Sequence, residues 1–182
     1  KVHSIILPYD CNSDMIDKYN VVGFVLSGGP SSVYENDAPT LPKDIFQYKV
    51  PILGICYGFQ LLIKYFNGIV ESSGKAEYGR SKIDIFNNQF LFKNIDNKTD
   101  VWMSHGDKVT QIPKNWEVTS KSENNVISSA IGSKCFGVQF HPEVYHTTKG
   151  KTILNNFLFN VCYAQPTWTS AHFIDSQINL IK

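Results

Sequence analysis

The sequence predicts an α/β domain with an open, mostly parallel central sheet, helices on both faces and a smaller antiparallel segment. Two observations carry this. Short apolar runs rich in β-branched and aromatic residues recur between turn signals, and several are apolar throughout, as strands covered on both faces are. Segments of helical period lie between and after them, which suits a layered α/β arrangement.

In chain order, the predicted strands are Ser4–Leu7, Val21–Leu26, Val50–Ile55, Ile83–Phe86, Val101–Met103, Trp116–Thr119, Val126–Ile131 and Cys135–Phe140. Tyr57–Phe66 is a predicted helix because Phe59, Leu62, Ile63 and Phe66 fall on one face. Thr148–Cys162 is another, with Ile153, Leu154, Phe157, Leu158 and Val161 repeating at helical spacing. Residues 110–133, rich in Ser, Asn and Lys, predict twisted antiparallel strands and surface loops with a turn at Asn124-Asn125. Ala171–Ile181 reads as a short helix.

A chain of 182 residues suits one domain with a substantial core, and 42% hydrophobic with 18% charged residues is ordinary for a globular protein. The net charge of +1 gives no electrostatic case for nucleic acid or an anionic membrane. No apolar run approaches a membrane span and no signal peptide opens the chain. Cys11, Cys56, Cys135 and Cys162 form no Cys-x-x-Cys pair, which favours a reducing, cytosolic setting and argues against zinc. Cys135 and Cys162 lie in apolar patterns and read as core filling.

Chemistry concentrates in two segments. Gly54-Ile55-Cys56-Tyr57-Gly58 places a cysteine between a predicted strand and a predicted helix, with glycines two residues to each side. That is the nucleophile-elbow pattern with sulfur in place of the serine oxygen. The glycines let backbone and helix approach closely. The corner projects the sulfur at the carboxyl end of a strand and at a helix N-terminus, whose partial positive charge favours the thiolate. The second segment is Gly137-Val138-Gln139-Phe140-His141-Pro142-Glu143. Alternate side chains of an extended segment point the same way, so Glu143 is placed to orient His141, and His141 can exchange a proton with Cys56. A lone cysteine is usually inert packing; a cysteine elbow together with a strand-terminal His-Pro-Glu is much harder to explain that way.

Other residues are less decisive. Ser27-Gly28-Gly29-Pro30 follows a strand but lacks the Lys-Ser/Thr of a P-loop, so alone it reads equally well as a turn. Tyr57, directly after the nucleophile, supplies a backbone N–H to an oxyanion hole by elbow geometry. Gln60 lies four residues after Cys56, on the same helix face. His105 has Asp107 two residues on, so spacing alone leaves it open as a rival to His141.

The two segments together resemble the class I, or triad, glutamine amidotransferases. The resemblance implies flavodoxin-like layering, Cys56 as nucleophile, His141 as acid and base, and Glu143 as its orienting carboxylate. It implies Gly29 and Tyr57 as the oxyanion hole, and Gln60, Ser104, His105 and Gly106 as contacts for L-glutamine. It selects His141 over His105 as the base, and His146 and Thr147 read either as part of an interdomain face or as structural residues. It implies no metal and no cofactor in this domain. Leu26-Ser27-Gly28-Gly29-Pro30, Glu77-Tyr78-Gly79, Trp102-Met103-Ser104-His105-Gly106-Asp107 and Trp168-Thr169 resemble one branch of the family. In that branch the ammonia aminates adenylated XMP to GMP on an ATP-pyrophosphatase domain, which uses ATP and Mg and through which a homodimer forms. By the same resemblance, residues 1–165 are the amidotransferase domain and 166–182 a linker and helix toward the synthetase domain. A first βα unit of roughly 20–30 residues is expected ahead of Ile6-Leu7-Pro8-Tyr9-Asp10. The rival readings are an amidotransferase component of anthranilate or carbamoyl phosphate synthesis, and a catalytically silent interaction domain.

Overall fold

The computed structural model describes residues 1–169, apart from the side chains of residues 73–76. The predicted helix at Ala171–Ile181 lies outside the described residues. The elements run α1 (Ser13–Ile16), β1 (Phe24–Leu26), β2 (Ile52–Ile55), α2 (Tyr57–Tyr65), β3 (Ile69–Ile85), β4 (Lys98–Gln111), β5 (Glu117–Ser122), β6 (Ile127–Ile131), β7 (Cys135–Val138) and α3 (Gly150–Asn155). Short 3-10 turns cover Lys43–Tyr48 and Phe90–Phe92, and α3 continues as a π-helical turn over Asn156–Val161.

The strands form one sheet in the order β1-β2-β7-β6-β5-β3-β4. β1, β2 and β7 are parallel neighbours; from β7 outward the pairing is antiparallel. The antiparallel part is larger than the segment predicted because β3 and β4 reach 17 and 14 residues. The predicted runs at Ile83–Phe86 and Val101–Met103 cover only short stretches of these strands. Along β4 every second residue is buried, but Thr99, His105 and Asp107 occupy half of those positions, so the alternation is hidden from a hydrophobicity reading. No strand forms at the predicted Ser4–Leu7. Ile5 and Ile6 are exposed there, and β1 is the edge strand of the described sheet.

Alternation along β2 and β7 divides the core. Leu53, Ile55, Phe136 and Val138 pack with Ile153 and Phe157 beneath α3 and its π turn. Ile52 and Cys135 pack with Leu62 of α2 on the opposite face, together with Ile16 and Ile45. Helices therefore cover both faces, as predicted. The glycines between are close-approach points: a Cβ on Gly137 would fall 1.8 Å from the Phe59 ring, and one on Gly58 2.3 Å from the Leu26 carbonyl. These gaps let α2 lie directly on the sheet, which brings its first turn to the ends of β1, β2 and β7.

Candidate active site

Cys56 stands at the corner between β2 and α2 with φ 50° and ψ −104°. Side chains other than glycine rarely adopt such a backbone, and the site holds it from two sides. The Cys56 N–H donates to the Val138 carbonyl at 2.8 Å, tying the corner to β7, and the Cys56 carbonyl accepts the first helical bond from Gln60 N–H at 3.1 Å. Cβ atoms on Gly54 or Gly58 would overlap neighbouring backbone, so the corner closes only with glycines there.

β2 and β7 are adjacent and parallel, so their carboxyl ends emerge side by side. His141, just beyond β7, thus reaches the cysteine. Its Nδ1 lies 2.7 Å from Glu143 Oε1. The hydrogen bond with Cys56, then that with Glu143, pushes His141 up to about 10, against the opposing effect of burial. Burial alone pushes Glu143 up, but the hydrogen bond with His141, a backbone hydrogen bond and the His141 charge together outweigh it and hold the carboxyl below its ordinary value. The imidazole is thus held between the cysteine and a carboxylate that orients it.

His141 is also fastened through its backbone. Its N–H donates to the Trp102 carbonyl at 3.0 Å, and its carbonyl accepts from Thr147 Oγ1 at 2.6 Å. Thr147 Oγ1 in turn accepts from the Trp102 N–H at 3.0 Å. Thr147, read as either interdomain or structural, is a buried fastener between the His141 segment and β4. The His146 ring packs against Trp102 in a tilted arrangement, with centroids 4.5 Å apart.

The Ser27–Pro30 loop at the end of β1 closes the other side. A Cβ on Gly28 would sit 2.8 Å from His141 Cε1 and 3.6 Å from Cys56 Cβ. Gly29 lies against the Tyr57 ring, 3.6 Å from its Cδ1 by the same measure. An open cleft of about 570 Å³ follows, lined by Gly29, Cys56, Gln60, Ser104, His105, Gly106 and His141 among others. The predicted site residues are therefore gathered in one place, with Tyr57 at the base of the corner and Glu143 behind His141.

His105 does not compete for the cysteine. Its ring is buried, Nδ1 lies 2.9 Å from the Asp107 carbonyl and Nε2 3.3 Å from Glu77 Oε2 on the neighbouring strand. Burial holds this imidazole below its ordinary value, with Glu77 opposing. The Ser104 carbonyl, by contrast, meets Cys56 Sγ at 3.6 Å. Three residues here carried no site role in the sequence reading. Asp107 accepts from Ser32 Oγ at 2.5 Å, joining the glycine loop to β4, and Gln139 Nε2 reaches Cys56 Sγ at 3.7 Å. For Gln139 the signal was a polar residue between the apolar Val138 and Phe140; Asp107 follows Ser104, His105 and Gly106 and carried no such signal. Among the described residues no group of three or more His, Cys, Asp or Glu converges as a metal site. No described helix is long and apolar enough to cross a membrane.

Known proteins resemble this chain in sequence and in fold. The family model for glutamine amidotransferase class-I matches residues 1–161. The chain is 43% identical over its full length to "GMP synthase [glutamine-hydrolyzing]" of Brachyspira hyodysenteriae, and 45% identical to that of Petrotoga mobilis. It spans 36% of the length of each of these relatives. Among solved structures, a Thermoplasma acidophilum protein proposed to be a GMP synthase component superimposes with a TM-score of 0.72 at 27% identity, over 87% of this chain and 80% of that one. A glutamine amidotransferase from Thermotoga maritima shares the fold, with a TM-score of 0.60 at 23% identity over 76% of this chain and 63% of that one. A cysteine elbow, a His-x-Glu pair just beyond the adjacent strand and a family match over residues 1–161 converge: this protein belongs to the class-I glutamine amidotransferase family.

Proposed function

We propose that this chain hydrolyses the side-chain amide of L-glutamine and passes the ammonia to a synthetase domain of the same protein. The carrying observation is the line from Cys56 through His141 to Glu143 at one end of the cleft. The Cys56 thiolate attacks the amide carbon, and backbone N–H groups of Gly29 and Tyr57 stabilise the oxyanion. His141, charged at rest, protonates the departing nitrogen, so ammonia leaves and a thioester remains. Neutral His141 then takes a proton from water, whose oxygen attacks the thioester carbon. The C–S bond breaks, glutamate is released and the thiolate–imidazolium pair returns. Glu143 keeps the ring oriented throughout. Gln60, Ser104, His105 and Gly106 line the cleft where the substrate's amino and carboxylate groups would rest.

The relatives' names favour ATP-dependent amination of XMP to GMP as the use of that ammonia. ATP and Mg would act on the synthetase domain, and no cofactor is assigned to this one. Residues 1–165 would form the glutaminase unit, 166–182 the connection, and dimerisation would fall to the synthetase part. Four free cysteines suit a cytosolic protein.

The test is Cys56→Ala in the full-length protein. Glutamine-dependent GMP synthesis should fall to background while ammonia-dependent synthesis persists, because only the thioester step needs sulfur. Loss of both activities in a folded variant would remove Cys56 from this role. Ammonia-dependent activity on chorismate or carbamoyl phosphate precursors, rather than XMP, would assign the domain to another pathway.

A further inference from the structure

Gln139 follows β7 and its side chain is fully buried. It stands two residues before His141, so both side chains leave the extended segment on the same side and meet the same sulfur. A buried amide needs partners at both ends. Gln139 Oε1 accepts from Gln60 Nε2 at 3.3 Å, and Gln60 Nε2 also donates to the Asp107 main-chain carbonyl at 2.9 Å.

One main-chain group sets the orientation of both amides. The Asp107 carbonyl can only accept, so Gln60 must present its NH2 there. The second N–H of that nitrogen meets Gln139, which must therefore offer its oxygen to Gln60. Its own NH2 is left facing Cys56 Sγ, 3.7 Å away. Asp107 is itself anchored by Ser32 Oγ at 2.5 Å.

We infer that Gln139 is an obligate N–H donor to the reacting sulfur, holding the thiolate in line with His141 and assisting its departure from the thioester. The inference rests on Cys56 being the nucleophile. A charge-assisted bond to sulfur strengthens as negative charge gathers there. It is therefore strongest in the free thiolate and when the C–S bond breaks with its electron pair moving onto sulfur. Other titratable groups around the sulfur are His141 with Glu143 behind it, His105 and Asp107 from β4 with Glu77 behind, and Tyr78 of β3 and Glu35 on the cleft wall. Replacing Gln139 leaves all of them in place.

The experiment uses the full-length protein and two variants, Gln139→Met, which keeps the volume, and Gln139→Asn, which withdraws the amide by one methylene. Alkylation of Cys56 by iodoacetamide is followed against pH and located by mass spectrometry. In both variants the rising limb should move to higher pH by about one unit, an approximately tenfold slower reaction on that limb. Glutaminase kcat should fall with little change in KM. A purely structural amide would lower Tm and leave the alkylation profile in place, so coincident profiles in either folded variant overturn the inference. If Gln139→Met does not fold, Gln139→Asn carries the test alone. Absence of preferential Cys56 alkylation in the wild type would instead sink the nucleophile assignment, and this inference with it.

Discussion

His141→Asn is expected to abolish glutamine hydrolysis almost as completely as loss of the cysteine, whereas Glu143→Gln should retain more activity. The imidazole both donates and accepts the travelling proton. Glu143 only holds it, at an exposed position where water can partly substitute. Steady-state glutamate release checks this; an active His141→Asn beside an inactive His105→Asn would hand the proton transfer to His105. The two imidazoles also pull stability in opposite directions with pH. Burial keeps His105 below 6.5, so as pH falls through that value the unfolded chain binds more protons than the folded one. The contribution of His105 is present above 6.5 and lost as pH falls toward its folded value. His141, raised to about 10, contributes fully below 6.5 and loses this as pH rises through about 10. Denaturant unfolding at several pH values should therefore show a smaller acid-side loss in His105→Gln than in the wild type. An unchanged acid slope would contradict the direction given for His105.

At the scale of elements, the corner depends on α2 touching the sheet. Gly58→Ala would bring a methyl group to 2.3 Å from the Leu26 carbonyl, a backbone atom that cannot swing aside. The expected cost is about 1–3 kcal/mol of stability, with a larger loss of activity as the β1 loop moves off His141. Equal thermal stability and turnover in Gly58→Ala would show that the contact is slack. This corner was legible in the sequence because its signals are local: an apolar strand, spaced glycines and a helical stripe within a few residues. His141 and Glu143 were legible for the same reason. Gln139 was not, because its partners Gln60 and Cys56 lie on another element, and a single glutamine between Val138 and Phe140 looks like an outward-facing strand residue. The lengths of β3 and β4 were obscured where buried polar residues such as His105 and Asp107 fall on the core face. Ser4–Leu7 has strand-forming residues, but a strand needs a neighbour, and local pattern does not say whether one is present.

For the molecule as a whole, the decisive feature is that β7 sits between two kinds of neighbour, parallel to β2 on one side and antiparallel to β6 on the other. The residues between α2 and β7 build the antiparallel strands before the chain returns to the elbow. The sulfur and its amide partner are 83 residues apart in sequence. Contacts of that separation close late, since the chain entropy is spent before they repay it. The reactive thiol is therefore a clock for folding. On dilution from denaturant, helical signal should return first, and selective alkylation of Cys56 should appear only in the slowest phase, when β7 slots between β2 and β6. A pulse-alkylation experiment that found Cys56 selectively reactive alongside the earliest helical signal would show that the elbow matures without its sheet.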